Sequence, residues 1–163
     1  MPDVPGWQYG PASYPVTIGS WTPGEPLEVS AVGQSGQVSA FSATIETPPP
    51  LGDVRPAFNA GPVDVVTSQG LSVSWISDGH PTDQVYLGLG QTTSESLRYC
   101  SCSVPDSAGT LSLDAVFLSQ FVTTGQVSGN IQLSRTTTST AVSGNVSLEL
   151  VGEVALGTDA VFK

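Results

Sequence analysis

Cys100 and Cys102, one residue apart, and His80, the only histidine, are the side chains of this chain best suited to chemistry. Residues i and i+2 of an extended strand share a face, so both thiols project together. Two thiolates and an imidazole form a donor set for copper or zinc, and the metal reading therefore takes Cys100, Cys102 and His80 as ligands, with no obvious fourth. The plainer reading is a pair of small buried hydrophobes, or an exported disulfide of unusual geometry. On a flat strand the two Cα atoms stand near the upper limit for a disulfide, so a bridge within Cys-Ser-Cys needs a bend.

The remaining reactive types are sparse. Asp78, Asp83 and Asp106 fall in turn-like segments, where Asp ordinarily bonds its own backbone; calcium would need two such loops to converge in space. A Ser-His-Asp mechanism would have to use His80, and no G-x-S-x-G elbow is present. Glu149 and Glu153 are a possible carboxylate pair, on what reads as the solvated face of a strand. The aromatic residues Trp7, Tyr9, Tyr14 and Trp21 could stack on sugar rings, or could simply cover one end of the fold; Trp7, Tyr9 and Trp21 are the ligand-binding candidates. No cofactor fingerprint is found, so no cofactor is expected.

A formal charge of −10 and a pI near 4.1 argue against nucleic acid and anionic membranes, whose phosphates would be repelled. Hydrophobic residues make up 39% of 163, enough for one domain with a two-sheet core and too much for wholesale disorder. No apolar run is long enough to cross a bilayer as a helix. Met1 to Gly6 lacks a basic region followed by an apolar core, so the expectation is a leader cut away ahead of it.

These residues must be held by strands. Leu71, Val73 and Trp75 alternate with polar residues, as do Val85, Leu87 and Leu89, and then Cys100, Cys102 and Val104. Earlier, Tyr14 to Ile18, Leu27 to Ala31 and Phe41 to Ile45 read as strands, with a hairpin-like loop at Gly33 to Gly36. Pro48-Pro49-Pro50 cannot continue a strand and is expected to be a crossover (residues 47–62) within one domain spanning 1–163, behind an irregular arm at 1–13. Leu113, Val116, Phe117 and Phe121 form a helical stripe that Ser112 or Asp114 could cap. Gly129 to Ala141 and Val146 to Val161 complete roughly ten strands, with a bend or bulge at Gly152. The fold class expected is all-β: an antiparallel two-sheet sandwich, immunoglobulin-like or Greek-key in type, with one short helix.

Phe41 to Pro48, Ser68 to Trp75, the cysteine strand with Val104 to Gly109, and the strand entering Ser134-Arg135 together resemble secreted β-sandwich proteins and lipoproteins of myxobacteria and related deltaproteobacteria. The resemblance runs from Leu27 onward. It implies an exported β-sandwich to which no activity is assigned. Such proteins often carry one cysteine on the strand before the turn, so Cys100-Ser101-Cys102 departs from the pattern, and a lipidation cysteine is absent. The functional expectation is an exported envelope or surface structural and interaction module without catalytic activity, recognising a protein or a glycan through loops at one end. The alternatives are a metal-binding protein using the Cys-x-Cys pair and a carbohydrate-binding module.

Overall fold

The computed structural model describes residues 22–31, 40–124, 127–144 and 146–163. The strand expected over Tyr14 to Ile18, the loop at Gly33 to Gly36 and the aromatic residues Trp7, Tyr9 and Trp21 lie outside the described residues. In chain order the strands are β1 Pro26–Ala31, β2 Phe41–Glu46, β3 Gly52–Arg55, β4 Val63–Val65, β5 Leu71–Ile76, β6 Gln84–Thr92 and β7 Leu97–Pro105. They continue as β8 Thr110–Leu113, β9 Val127–Ser143 and β10 Val146–Phe162. A 3-10 turn at Asp106–Ala108 follows β7, and one helical turn, α1 Ala115–Leu118, follows β8.

The molecule is mostly β, in several sheets. β1 and β2 form an antiparallel pair; β3, β5 and β8 form a second sheet in that order; the largest runs β4-β10-β9-β6-β7. One pairing departs from the antiparallel expectation: β4 lies parallel to β10, with Val65 beside Phe162. A three-residue strand reached by a long irregular connection is free to enter the sheet edge in either direction, and strand alternation alone carries no information about which.

The period-2 pattern explains the core. Val85, Leu87 and Leu89 of β6 are fully buried, and Leu87 and Leu89 sit opposite Leu133 and Ile131 of β9. Leu71, Val73 and Trp75 of β5, with Leu111 and Leu113 of β8, join the same cluster from the three-stranded sheet. Apolar side chains from both sheets therefore leave water together, each contributing about 1.5–3 kcal/mol when fully buried. β1 and β2 stand apart from this cluster. There Ile45 is buried and, with Pro48, approaches Gly152 of β10.

Two expectations are corrected. The helical stripe breaks down because Leu113 closes β8, where the strand period holds, and α1 is a single turn. Val116 is 80% exposed and Phe117 half-exposed, while Leu118 and Phe121 carry the burial. Phe121 stacks on Phe162 with ring centroids 4.6 Å apart. Asp114 does cap the turn, accepting from the Phe117 N–H at 2.7 Å, whereas Ser112 instead donates to Ser72. Gly152 makes no bulge, since β9 and β10 pair without a register shift. Its missing side chain instead leaves room for Pro48, whose Cδ would lie 3.0 Å from any added Cβ.

Trp75→Ala removes a large buried ring and a donor to Asp106. Urea unfolding at neutral pH is expected to show a loss of about 3–5 kcal/mol; a loss under about 1 kcal/mol would contradict this packing.

Candidate functional site

Alternation along β9 turns Arg135 inward, between Ser134 and Thr136, and its side chain keeps only 1% exposure. Every guanidinium nitrogen is engaged. Nε donates to Asp106 Oδ1 at 2.9 Å, Nη1 to the carbonyls of Pro49 and Pro50 at 3.0 and 3.3 Å, and Nη2 to the Ile76 carbonyl at 2.8 Å. Nη2 also lies 2.8 Å from Asp106 Oδ1. Asp106 is held further by Trp75 Nε1 at 2.9 Å, Ser77 Oγ at 2.6 Å and the Asp78 N–H at 2.9 Å. Burial pushes the Asp106 carboxyl up, but the hydrogen bonds from Ser77, Arg135 and the Asp78 N–H, with the Arg135 charge, more than offset it and leave its pKa lowered. Asp78, 3.7 Å from Arg135, is raised: burial outweighs the His80 N–H bond and the Arg135 charge. Asp78 and Asp106 do converge, and a guanidinium holds the position that a cation would take between them.

Beside this knot is a cavity of about 210 Å³, bordered by the 78–83 loop, Thr137 of β9 and the segment Glu46 to Pro49. His80 Nδ1 lies 2.9 Å from Asp83 Oδ1, and Nε2 lies 3.6 Å from Glu46 Oε2. Asp83 Oδ1 also accepts from Thr137 Oγ1 at 2.8 Å. Its Oδ2 is buried and has no hydrogen-bond partner among the described residues. His80 thus bridges two carboxylates contributed by different segments.

Cys100 and Cys102 share the inward face of β7, as the alternation requires, and stand half-buried against the core with free thiols. Burial raises the pKa of both. His80 turns to Asp83 and Glu46 instead of joining them. No group of three or more His, Cys, Asp or Glu side chains among the described residues is arranged to hold a metal ion.

The opposite face of the five-stranded sheet carries a groove of about 460 Å³. It is lined by Tyr86 of β6 and by Tyr99 and Ser101 of β7, the tyrosines 41% and 67% exposed, and on the other side of β6 by Asn130, Gln132 and Thr136 of β9 and Glu149, Val151 and Glu153 of β10. The Tyr99 ring lies over Gly88, its hydroxyl 3.1 Å from where a Cβ would stand, and the Asn130 amide fills the corresponding space above Gly90. These glycines let an aromatic ring and an amide lie flat on the sheet. Glu149 and Glu153 are both exposed here, as expected, with their Cα atoms four strand positions and roughly 13 Å apart.

The groove was not singled out by sequence reasoning. Its signal was present in the polar phase of the strands, where Tyr86, Gly88 and Gly90 alternate with the buried leucines. What alternation lacks is cross-strand register, which sets Tyr99 opposite Gly90 and Ser101 opposite Gly88. Set against family models, curated proteins and solved structures, the chain matches none of them.

Asp106→Asn strands Arg135 without its counter-charge, and at pH 7 is expected to cost about 3–5 kcal/mol in urea unfolding. A lowered native pKa contributes stability that is complete above the unfolded Asp value, about 3.9, and lost as pH falls through the native value. The gap between wild type and variant therefore narrows with acidification below about pH 4; a gap constant from pH 7 to 2 would contradict the assignment.

For the cysteines, a thiol-specific chromogenic reagent at pH 7.5 is expected to react at least ~10-fold more slowly than with a free cysteine, accelerating with pH. Labelling at the free-cysteine rate would show the thiols to be exposed.

Proposed function

We propose that this protein is a non-catalytic, exported recognition module that binds carbohydrate along the outer face of its five-stranded sheet. The observation that carries this reading is the groove in which Tyr99 lies flat over Gly88, with Tyr86, Asn130 and Gln132 beside it. A pyranose presents an apolar C–H face to an aromatic ring and hydroxyls at its rim, and amides, hydroxyls and carboxylates answer the rim as donors and acceptors. A protein partner would favour an apolar, aromatic-rich patch with few charges at its centre. Here two tyrosines and Val151 stand among Ser, Thr, Asn, Gln and Glu. Glu149 and Glu153 would repel uronic or sulfated sugars, so neutral glycans or amino sugars are the class favoured.

The scaffold in this reading is an immunoglobulin-like two-sheet sandwich. β3, β5 and β8 correspond to strands A, B and E, and β6, β9 and β10 to C, F and G. β7 extends the second sheet as C′ does in variable-type domains, and the buried Trp75 faces the space between the layers. Export and a place at the cell envelope belong to the same proposal. They rest on the acidic, lysine-poor composition and on the resemblance to secreted myxobacterial β-sandwich proteins.

Titration calorimetry with cellohexaose, xylohexaose, mannohexaose and chitohexaose tests the reading. At least one is expected to bind, and Tyr99→Ala to weaken it about tenfold, ~1.4 kcal/mol, with thermal stability unchanged. Silence across the panel, or an affinity within about twofold of wild type in both Tyr99→Ala and Tyr86→Ala, would end the carbohydrate reading.

A further inference from the structure

The cavity beside the Arg135 knot contains an electrostatic imbalance that the proposed glycan face does not use. Glu46, Asp78, Asp83 and Asp106 stand within or next to it, and Arg135 spends its donors on Asp106 and on three backbone carbonyls. Asp106 and Asp78 accept bonds from protein groups. Asp83 is different: its side chain keeps 1% exposure, Oδ1 serves both Thr137 and His80, and Oδ2 is left buried without a donor among the described residues. A buried carboxyl oxygen with no hydrogen-bond partner is costly, and a native structure that keeps one has a use for it or a partner to supply.

We propose that this cavity binds a primary ammonium group, with Asp83 Oδ2 as the inner acceptor and Glu46 at the mouth. Three arguments select that chemistry. The carboxylate excess calls for a cation, which excludes phosphate, sulfate and carboxylate ligands. A guanidinium is matched to both oxygens of a carboxylate, and Oδ1 of Asp83 is already taken; an ammonium is a point donor that one free oxygen satisfies. A divalent metal needs several converging ligands, and no three acidic, His or Cys side chains among the described residues provide them. The cavity, about 210 Å³, has room for the head and first methylenes of an alkylamine. Glu46 is largely exposed at the mouth; Oδ2 has almost no accessible surface, so an ammonium reaches it only if cavity-lining side chains such as His80, 39% exposed, move aside. The same head group occurs on a free amine and on the lysine of a peptide, and separate probes distinguish them.

The full chain is titrated at pH 7.5 with n-butylammonium, with Nα-acetyl-lysine amide and, separately, with calcium chloride, by calorimetry and thermal shift. One site per chain is expected for an amine, with a raised melting temperature. If only the lysine derivative binds, the source is a peptide; if both bind, a free amine suffices. Asp83→Asn is expected to weaken binding by about tenfold or more, and Glu46→Gln, at an exposed position that does not endanger folding, by about threefold or more. Glu95→Gln removes the same charge from a distant turn and leaves binding unchanged. The proposal is overturned if neither amine binds, if Glu46→Gln and Glu95→Gln behave alike, or if calcium binds stoichiometrically while the amines do not.

Discussion

A single buried guanidinium ties together parts of this chain that lie far apart in sequence. Arg135 reaches from β9 to the 3-10 turn after β7, to the last carbonyl of β5, and to the Pro48–Pro50 crossover. Consecutive prolines have carbonyls to satisfy and no N–H groups to offer, so a crossover built from them needs an outside donor. Nη1 supplies two bonds to it. A buried charge is tolerable only when paired and fully bonded, and Asp106 completes the pairing while also holding Trp75 and the start of the 78–83 loop. The two sheets, the crossover and the loop at one end are thereby placed relative to one another by polar geometry, over a core that is otherwise non-directional.

The sheet-face groove and the acidic cavity are both positioned by that frame. The broad face of the five-stranded sheet is flat where Gly88 and Gly90 lack side chains, and polar where β9 and β10 present amides, hydroxyls and carboxylates. Its other side carries the fully buried Leu87, Leu89, Ile131 and Leu133. The acidic cavity lies at the end of the fold, next to the anchor. Rigid elements bearing loops at one end are a common arrangement for recognition, because the scaffold fixes geometry while the loops carry the chemistry. Here the sheet face presents area and aromatic rings, and the cavity a small acidic recess.

Burial also limits the cysteines. A metal-holding pair needs thiolates, and the apolar side of β7 raises the pKa of both thiols. The same alternation that sets Cys100 and Cys102 on one face sets that face against the core, so the spacing suited to a metal comes with an environment that disfavours ionisation.

The strand content was legible because burial of one sheet face imposes a period of two on the residues, and Leu71 to Trp75, Val85 to Leu89 and Val146 to Leu150 carry that period plainly. Composition also set the sign of the electrostatics and thereby the kinds of partner that the surface repels. Pairing partners, direction and register were not legible. Backbone hydrogen bonds do not depend on side-chain identity, which is why β4 could enter parallel and why the apolar spacing from Leu113 could imitate a helix while its first residue belonged to β8. Tertiary structure alone decided that Arg135, one of three arginines, would be the buried one. It alone brought Glu46, His80 and Asp83 to one cavity and laid Tyr99 over Gly88. Each of these depends on residues distant in sequence meeting in space, and a local pattern contains no term for that distance.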